Sequence, residues 1–332
     1  MPRMSFHWRL LAGLALATTL SAQSSPLPQG AAAPAPAADS ADAGHSLQYG
    51  EDNYERMTVP VEIGGQGPYP FVVDTGAERT VISRELAREL RLAPSGQAQL
   101  HSMTGSSAVD TVMIPVLGIS AGSVRNIRAP ALARGDLGAT GLLGIDSLRN
   151  NQLLLDFRQQ TMTIRPASAK RERLDPDEIV VTAKSKFGQL ILADAEANGH
   201  RIAVIIDTGS QISIGNSALR RKILGKKPRT PPPQVEVISV TGGRLIADYT
   251  RIDKIKIGGV TMTDMPIAFV DAHPFAKFGL TNKPALMLGM NGLKAFDRVA
   301  VDFANRKVRF LLPTGADRDH DMMLAALRKS GH

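Results

Sequence analysis

The sequence of 332 residues contains no cysteine, a single tryptophan and few aromatic residues of any kind, 5% in all. Disulfide bonds and thiolate metal ligands are therefore excluded, and the seven histidines show no metal-ligand spacing. We expect no metal and no cofactor. Because aromatic rings are scarce, the core has to consist mainly of aliphatic side chains and methionine, in a chain of ordinary globular composition.

Long apolar runs are also missing. The run Leu10–Leu20 has 11 residues, whereas a membrane helix needs about 20. It follows a basic start with Arg3 and Arg9 and precedes the small residue Ala22, which is typical of a cleaved secretory signal. We therefore predict a signal peptide over residues 1–22 and an exported protein, periplasmic or secreted, with no membrane anchor after cleavage.

The positive charge is modest and scattered. The formal net charge is +8, and it falls to +6 when residues 1–22, with Arg3 and Arg9, are removed. Apart from two short clusters, Lys170–Arg173 and Arg220–Arg229, lysine and arginine are dispersed, and no nucleic-acid-binding motif accompanies them. We expect no nucleic-acid partner.

An internal repeat organises the rest of the chain. Residues 23–46 are rich in Ala, Pro and Ser and predict a flexible linker. After it, four landmarks occur twice in the same order. They are Asp-Thr-Gly at Asp74 and Asp207, Ser102–Ser107 and Ser239–Arg244, Gly141–Leu148 and Leu286–Leu293, and Leu153–Ile164 and Val299–Phe310.

Each half reads as short strands joined by glycine turns, with one short helix after each Asp-Thr-Gly. This pattern predicts an all-β protein with two related barrel-like lobes, produced by duplication, with a site between them. We place the N-terminal lobe at 47–166, an interlobe connection at 167–186, the C-terminal lobe at 187–313 and a tail at 314–332. In a serine-hydrolase motif a helix follows the serine, so "GISAG" around Ser120, between two strands, is a hairpin turn instead.

The repeated aspartates carry the chemistry. Each follows an apolar strand, so its carboxylate is delivered to a rigid and poorly solvated place. If the lobes face each other, the two carboxylates meet, cannot both ionise, and share a proton. The charged member activates a water and the protonated member hydrogen-bonds a substrate carbonyl, which is sufficient for peptide hydrolysis without a metal.

These motifs resemble those of the retropepsin-like and pepsin-like aspartic peptidases. The resemblance runs from about residue 46 to 313, in lobes as short as the retroviral type but fused in one chain. It implies an aspartic endopeptidase with the catalytic pair Asp74 and Asp207, acting on a peptide or protein as a monomeric pseudo-dimer. The implied dyad-shaping residues are Thr75, Gly76, Ala77, Thr208, Gly209 and Ser210, and the apolar-apolar-Gly elements give the structural support residues Leu143, Gly144, Leu288 and Gly289.

Two flaps that close over the substrate are implied at the second landmark. Their tips are Met103, Thr104 and Gly105 in the first lobe and Val240, Thr241 and Gly242 in the second. We also hypothesise that the Ser210 hydroxyl donates to Asp207, so that Asp74 more often holds the shared proton.

Two other functions stay open at this point. The chain is either a non-catalytic binder of peptides or envelope components, or an enzyme whose site forms only between two chains. A segment present in the second lobe alone, Asp271–Pro284, is predicted to overhang the cleft and restrict what enters.

Overall fold

The computed structural model describes residues 47–48, 50–51, 56–167, 178–226 and 228–313. The predicted signal peptide, linker and C-terminal tail lie outside these residues, and the domain boundaries stay predictions. Among the described residues, no helix is long and apolar enough to cross a membrane.

The first lobe is built almost entirely of strands. Alternation of buried and exposed residues along Met57–Ile63 points Val59, Val61 and Ile63 into the lobe. Its elements are β1 (Leu47–Gln48), β2 (Gly50–Glu51), β3 (Met57–Ile63), β4 (Gln66–Val73), β5 (Val81–Ser83), α1 (Arg84–Glu89), β6 (Pro94–Ser102), β7 (Gly105–Ile119), β8 (Gly122–Leu132), α2 (Arg134–Leu137), β9 (Gly141–Leu143), α3 (Ile145–Leu148), β10 (Asn151–Asp156) and β11 (Thr161–Pro166).

The second lobe repeats this order. Its elements are β12 (Glu178–Lys186), β13 (Gln189–Leu192), β14 (Ala195–Ala197), β15 (His200–Arg201), β16 (Ala203–Ile206), β17 (Ser213–Gly215), α4 (Ser217–Leu224), β18 (Gln234–Ile238), β19 (Arg244–Ile257), β20 (Val260–Phe269), α5 (His273–Lys277), β21 (Ala285–Leu288), α6 (Met290–Leu293), β22 (Arg298–Asp302) and β23 (Lys307–Leu311).

Both lobes are barrel-like. In the first, the sheet runs β3-β4-β9-β5-β8-β7, and a further pairing of β3 with β7 closes the ring. In the second, the order β13-β16-β21-β17-β20-β19-β14 is equivalent, because β13 and β14 together take the place of β3. The predicted all-β, two-lobed class is therefore confirmed.

A sheet shared by both lobes joins them. The hairpin of β10 and β11 comes from the first lobe and that of β22 and β23 from the second. They meet where β10 pairs with β22 in antiparallel register, Leu153 opposite Val301 and Leu155 opposite Val299. Strand β12, within the predicted interlobe connection, pairs with β23 and leads into β13.

Helix signals in the sequence are mostly accurate. The Ser83 hydroxyl accepts from the Leu86 N–H and caps the start of α1, which ends at Glu89. Asn216 caps α4 in the same way. "GISAG" lies in the turn between β7 and β8, as expected for a hairpin.

Candidate active site

The two Asp-Thr-Gly loops leave the ends of two fully buried strands. Val72 and Val73 of β4 and Ile205 of β16 have no exposed surface, as their apolar sequences predict. Strand β4 runs parallel to β9, and β16 runs parallel to β21. Each aspartate is therefore fixed by a strand on either side rather than by a free loop.

The apolar-apolar-Gly elements hold the aspartate backbones. The Asp74 N–H donates to the Leu143 carbonyl at 3.1 Å, and the Asp207 N–H donates to the Leu288 carbonyl at 3.0 Å. A methyl group on Gly144 would collide with the backbone of Arg79, and one on Gly289 would lie 2.7 Å from the Ile212 carbonyl. Both glycines are required because another chain segment passes directly over them.

Two threonines cross-link the loops. The Thr75 N–H donates to the Thr208 hydroxyl oxygen at 3.1 Å, and the Thr208 N–H donates to the Thr75 hydroxyl oxygen at 3.1 Å. The hydroxyls donate onward, Thr75 to the Ile206 carbonyl at 2.9 Å and Thr208 to the Val73 carbonyl at 2.6 Å. Both side chains are buried, so these bonds are shielded from water and fix the lobes in one register.

The glycines of the two loops face the opposite carboxyl groups. A methyl group on Gly76 would lie 2.6 Å from Asp207 Oδ1, and one on Gly209 would overlap the Asp74 carboxyl. The Gly76 N–H donates to Asp74 Oδ1 at 2.8 Å, and the Gly209 N–H donates to Asp207 Oδ1 at 3.0 Å. The structure therefore brings the two aspartates together across the lobe boundary, within one chain.

The two carboxyl groups share a strongly perturbed environment. Burial, followed by the charge of Asp74, raises the pKa of Asp207 to about 8, although the N–H groups of Gly209 and Ser210 oppose this. Burial also raises the pKa of Asp74, while the N–H of Gly76, the Arg56 charge, the N–H of Ala77 and a hydrogen bond from Asp207 lower it. The pair therefore retains one proton at neutral pH, and its ionisations belong to the pair.

The structure favours Asp207 rather than Asp74 as the holder of the shared proton, because the hydrogen bond expected from the Ser210 hydroxyl to Asp207 is not made. The Ser210 hydroxyl donates to the Ile212 carbonyl at 2.8 Å, so Asp207 receives only the Ser210 backbone N–H, as Asp74 receives that of Ala77. Asp207 is also the less exposed of the two, at 5%. Burial penalises the charged form more at Asp207, which favours the proton there.

Arg56, which the sequence analysis missed, lies close to this pair. Its side chain is 5% exposed and donates to the Leu137 carbonyl. Its charge lowers the pKa of both aspartates. A single arginine immediately before β3 is part of no motif, so nothing in the sequence indicates that its charge lies near the aspartates.

Two further pairs of polar residues support the Asp-Thr-Gly loops, and the sequence analysis missed these as well. Thr80 donates to Asp146, and Ser213 donates to Asn291, each through its hydroxyl at 2.7 Å. The hydroxyl oxygens in turn accept from the Gly144 and Gly289 N–H groups at 3.1 and 3.0 Å. The internal repeat of the sequence contained a signal for these pairs, because Thr80 and Ser213 each follow the aspartate of their own lobe by six residues.

The predicted flap residues lie at two hairpins, β6–β7 (called the first flap) and β18–β19 (called the second flap). The tip residue Met103 packs against the second-lobe cluster around Ile205 and Phe275, and Val240 packs against the first-lobe cluster around Val72 and Leu142. The Thr241 hydroxyl donates to the Ser102 hydroxyl at 3.2 Å.

The remaining tip residues complete this contact. Gly243, beside the second tip, lies against Thr104 of the first, and Gly242 lies against Asp136 of α2. Gly105 begins β7 with open space around it. Each flap tip therefore packs on the other lobe, and the tips touch one another.

The segment Asp271–Pro284 lies beside the first flap. The Asn216 amide donates to the carbonyls of Leu280 and Lys283, both at 2.8 Å, which ties the segment to the second lobe. On the other side, Lys277 of α5 forms an ion pair with Glu78 of the first lobe at 2.7 Å. The segment thus connects the second lobe to the first lobe and to its flap.

Closed barrels that present paired Asp-Thr-Gly loops across a pseudo-twofold axis define the two-lobed acid-protease fold. Residues 59–150 match the family described as "gag-polyprotein putative aspartyl protease", and residues 193–291 match a second family described as "Aspartyl protease". No individual curated protein matches the sequence. One match falls on each lobe and together they span more than half of the chain, which therefore belongs to the retropepsin-like aspartic protease family.

Proposed function

We propose that the protein is an aspartic endopeptidase in which Asp74 and Asp207 form the catalytic pair. The observation that carries this proposal is the close approach of two carboxyl groups from different lobes, each lying against the glycine of the opposite Asp-Thr-Gly loop, with the pKa of Asp207 raised to about 8. A structural pair of acids would be costly to bury in this way, and such perturbed pairs are typical of catalytic sites.

The assignment of the proton suggests the role of each aspartate. Asp74, charged, accepts a proton from a water molecule held between the carboxyls, and that water attacks the scissile carbonyl carbon. Asp207, protonated, donates a hydrogen bond to the carbonyl oxygen as negative charge develops on it. The proton taken by Asp74 then passes to the leaving amine, so the pair returns with one proton for the next turnover.

The substrate that fits is an extended peptide or protein segment. The surfaces on either side of the carboxyls come from different lobes, and a chain held across both extends beyond the reacting bond in each direction. The partly buried tip residues Met103 and Val240 contribute apolar surface from each flap, which suits apolar substrate side chains. Main-chain hydrogen bonds to strand edges supply the rest of the binding.

A digest of a peptide library tests this function. Wild type should cleave internal bonds, while Asp74→Asn and Asp207→Asn should each reduce kcat by about 10³-fold or more with little change in melting temperature. Asp253→Asn, on the exposed edge of β19, is the matched control and should cleave normally. A statine-type transition-state analogue should inhibit wild type.

The same experiment separates the alternative functions. Peptide binding by wild type without any cleavage would favour a non-catalytic binder. An active species that elutes only as a dimer would favour a site built from two chains, which the meeting of both aspartates within one chain does not support. We propose a monomer.

We also propose that the enzyme is exported. This rests on the N-terminal basic and apolar segment of the sequence. N-terminal sequencing of the protein recovered from the cell envelope or the medium should begin near Gln23, and recovery with Met1 intact would contradict export by this signal.

A further inference from the structure

A pair of histidines fastens the first flap to the second lobe. His101 of β6 and His273 of α5 lie 172 positions apart, yet the His101 Nδ1 and His273 Nε2 atoms are 2.9 Å apart. Their rings are parallel to within 7°, with centroids 5.2 Å apart. The backbone N–H of His273 also donates to the backbone carbonyl of Met103 at 2.9 Å, at the tip of the same flap.

A hydrogen bond between two imidazoles depends on protonation. One ring nitrogen has to donate and the other has to accept, and an imidazolium has no acceptor. The bond therefore survives when one ring is protonated and is lost when both are, and two adjacent cations then repel each other. Imidazole titrates near pH 6.5, so this change falls in a physiological range.

The other charged groups that face the pair do not relieve this repulsion. Lys277, one turn further along α5, adds a third positive charge. The anion that acts on His101 is Glu78, from the loop after β4, and it is already in an ion pair with Lys277 at 2.7 Å. The Ser102–Thr241 contact between the flap tips contains only hydroxyl groups and does not titrate in this range.

We propose that His101 and His273 form a pH-dependent latch, which holds the first flap against the second lobe at neutral pH and releases it in acid. This regulates the cleft of the proposed endopeptidase and rests on that function for its biological role. The latch itself is a property of the flap and does not depend on catalysis.

The direction of the pH effect follows from His101. Burial, then the charges of Lys277 and His273, lowers the pKa of His101 below its ordinary value, while Glu78 opposes this. When the flap is released, these influences weaken and His101 binds a proton more readily. The fastened state is therefore fully favoured above about pH 6.5, and its population decreases as the pH falls below that value.

The absence of cysteine permits a direct measurement of the flap. Cysteines introduced at Ala108 on the first flap and Lys222 on α4 are both exposed and would carry a pair of spin labels. We expect one narrow distribution of distances between the labels at pH 7.5 and a broader distribution with a shifted mean at pH 5.0. The released fraction should rise by up to about tenfold per pH unit, since one further proton is bound on release.

The double variant His101→Asn/His273→Gln is the decisive comparison. Asparagine places its amide near the imidazole Nδ1 position and glutamine near Nε2, so a neutral hydrogen bond is retained that does not titrate. In this double variant, the distribution of distances between the labels should stay narrow and should not shift between the two pH values. His200→Gln, on β15, is the matched control and should respond to pH as wild type does.

Two outcomes would overturn the latch: a wild-type distance that is the same at both pH values, or an equal change in the double variant. Because no substrate is used, the result is independent of the proposed function. Loss of activity in the Asp74→Asn variant, with an unchanged pH response of the labels, would support both the proposed function and the latch. An active wild-type enzyme whose label distance does not depend on pH would reject the latch alone.

Discussion

Asp146 and Asn291 occupy equivalent positions in the two lobes and make the same two contacts. Asp146 accepts from the Thr80 N–H at 2.8 Å and hydroxyl at 2.7 Å, and Asn291 accepts from the Ser213 N–H at 2.8 Å and hydroxyl at 2.7 Å. In each lobe a single side-chain oxygen accepts both hydrogen bonds, so the negative charge of Asp146 is not needed to form them.

Replacing Asp146 by Asn should therefore stabilise the protein at neutral pH. Burial raises the pKa of Asp146, with the Thr80 hydrogen bonds opposing it, so the folded state binds a proton more tightly than the unfolded state. This contribution favours folding below the unfolded pKa and is lost as the pH rises through the folded pKa. Asp146→Asn should gain about 0.5–2 kcal/mol at pH 7 and nothing near pH 3, measured by urea unfolding. Asn291→Asp, the mirror variant, should lose stability at pH 7, and an equal effect at both pH values would contradict the argument.

Catalysis should fail above about pH 8. The pKa of Asp207 is raised to about 8 by burial and by the charge of Asp74, so the pair loses its shared proton as the pH passes that value. The acid limb should lie above the ordinary range of an aspartate, because burial also raises the pKa of Asp74. The pH dependence of kcat/KM reports both limits for the free enzyme. Full activity at pH 10 would contradict this assignment.

Replacing Arg56 by Gln should move the alkaline limit to higher pH. Its positive charge lowers the pKa of both aspartates, so its removal lets the pair hold the proton longer. Arg56→Lys keeps the charge and should retain the wild-type limit, even where the contact with the Leu137 carbonyl changes. Melting temperatures of both variants separate loss of packing from the electrostatic effect, and an unmoved profile in Arg56→Gln would reject it.

Alanine at Gly209 should lower kcat by about 10²-fold or more. Its methyl group would overlap the Asp74 carboxyl, and the carboxyl has to move. A displacement on the order of 1 Å commonly costs about 10²-fold in rate. Gly135→Ala in α2 is the matched control, because nothing lies within 4 Å of the added methyl group and the backbone is compatible with alanine. Comparable kcat for the two variants would show that the close approach is unimportant.

Valine at Thr208 should destabilise the junction between the lobes. The change leaves the Val73 carbonyl and the Thr75 N–H without partners at a fully buried site, at about 1–3 kcal/mol for each. Thr208→Ser retains both hydrogen bonds and should unfold close to wild type in urea. If the two variants are equally stable, the methyl group rather than the hydroxyl carries the contribution.

The parts of this protein that sequence could predict are local and repeated. Two motifs specify their own local conformation: the apolar strand that ends in Asp-Thr-Gly and the apolar-apolar-Gly element that follows it. Because both motifs occur twice, the sequence predicts two lobes. The capped helices after Ser83 and Asn216 follow from short-range hydrogen bonds in the same way.

The parts that could not be predicted depend on how separate loops meet. Nothing in the sequence pairs His101 with His273 or directs Arg56 toward the aspartates, because these contacts arise only when the lobes are assembled. Ser210 illustrates the opposite error, in which a contact was predicted that the structure does not contain. A serine side chain is short, and its hydroxyl donates to the nearby Ile212 carbonyl instead of to the Asp207 carboxylate.

Asp271–Pro284 exists in one lobe only, and this has a consequence for the polarity of the substrate. A peptide has distinct amino and carboxyl ends, and a cleft with identical halves would accept it in either direction with equal affinity. Here the connection between β20 and β21, which contains α5, is longer than the equivalent connection between β8 and β9, which contains α2, so the two sides of the cleft differ. We therefore expect the two sides of the cleft to select different side chains before and after the cleaved bond.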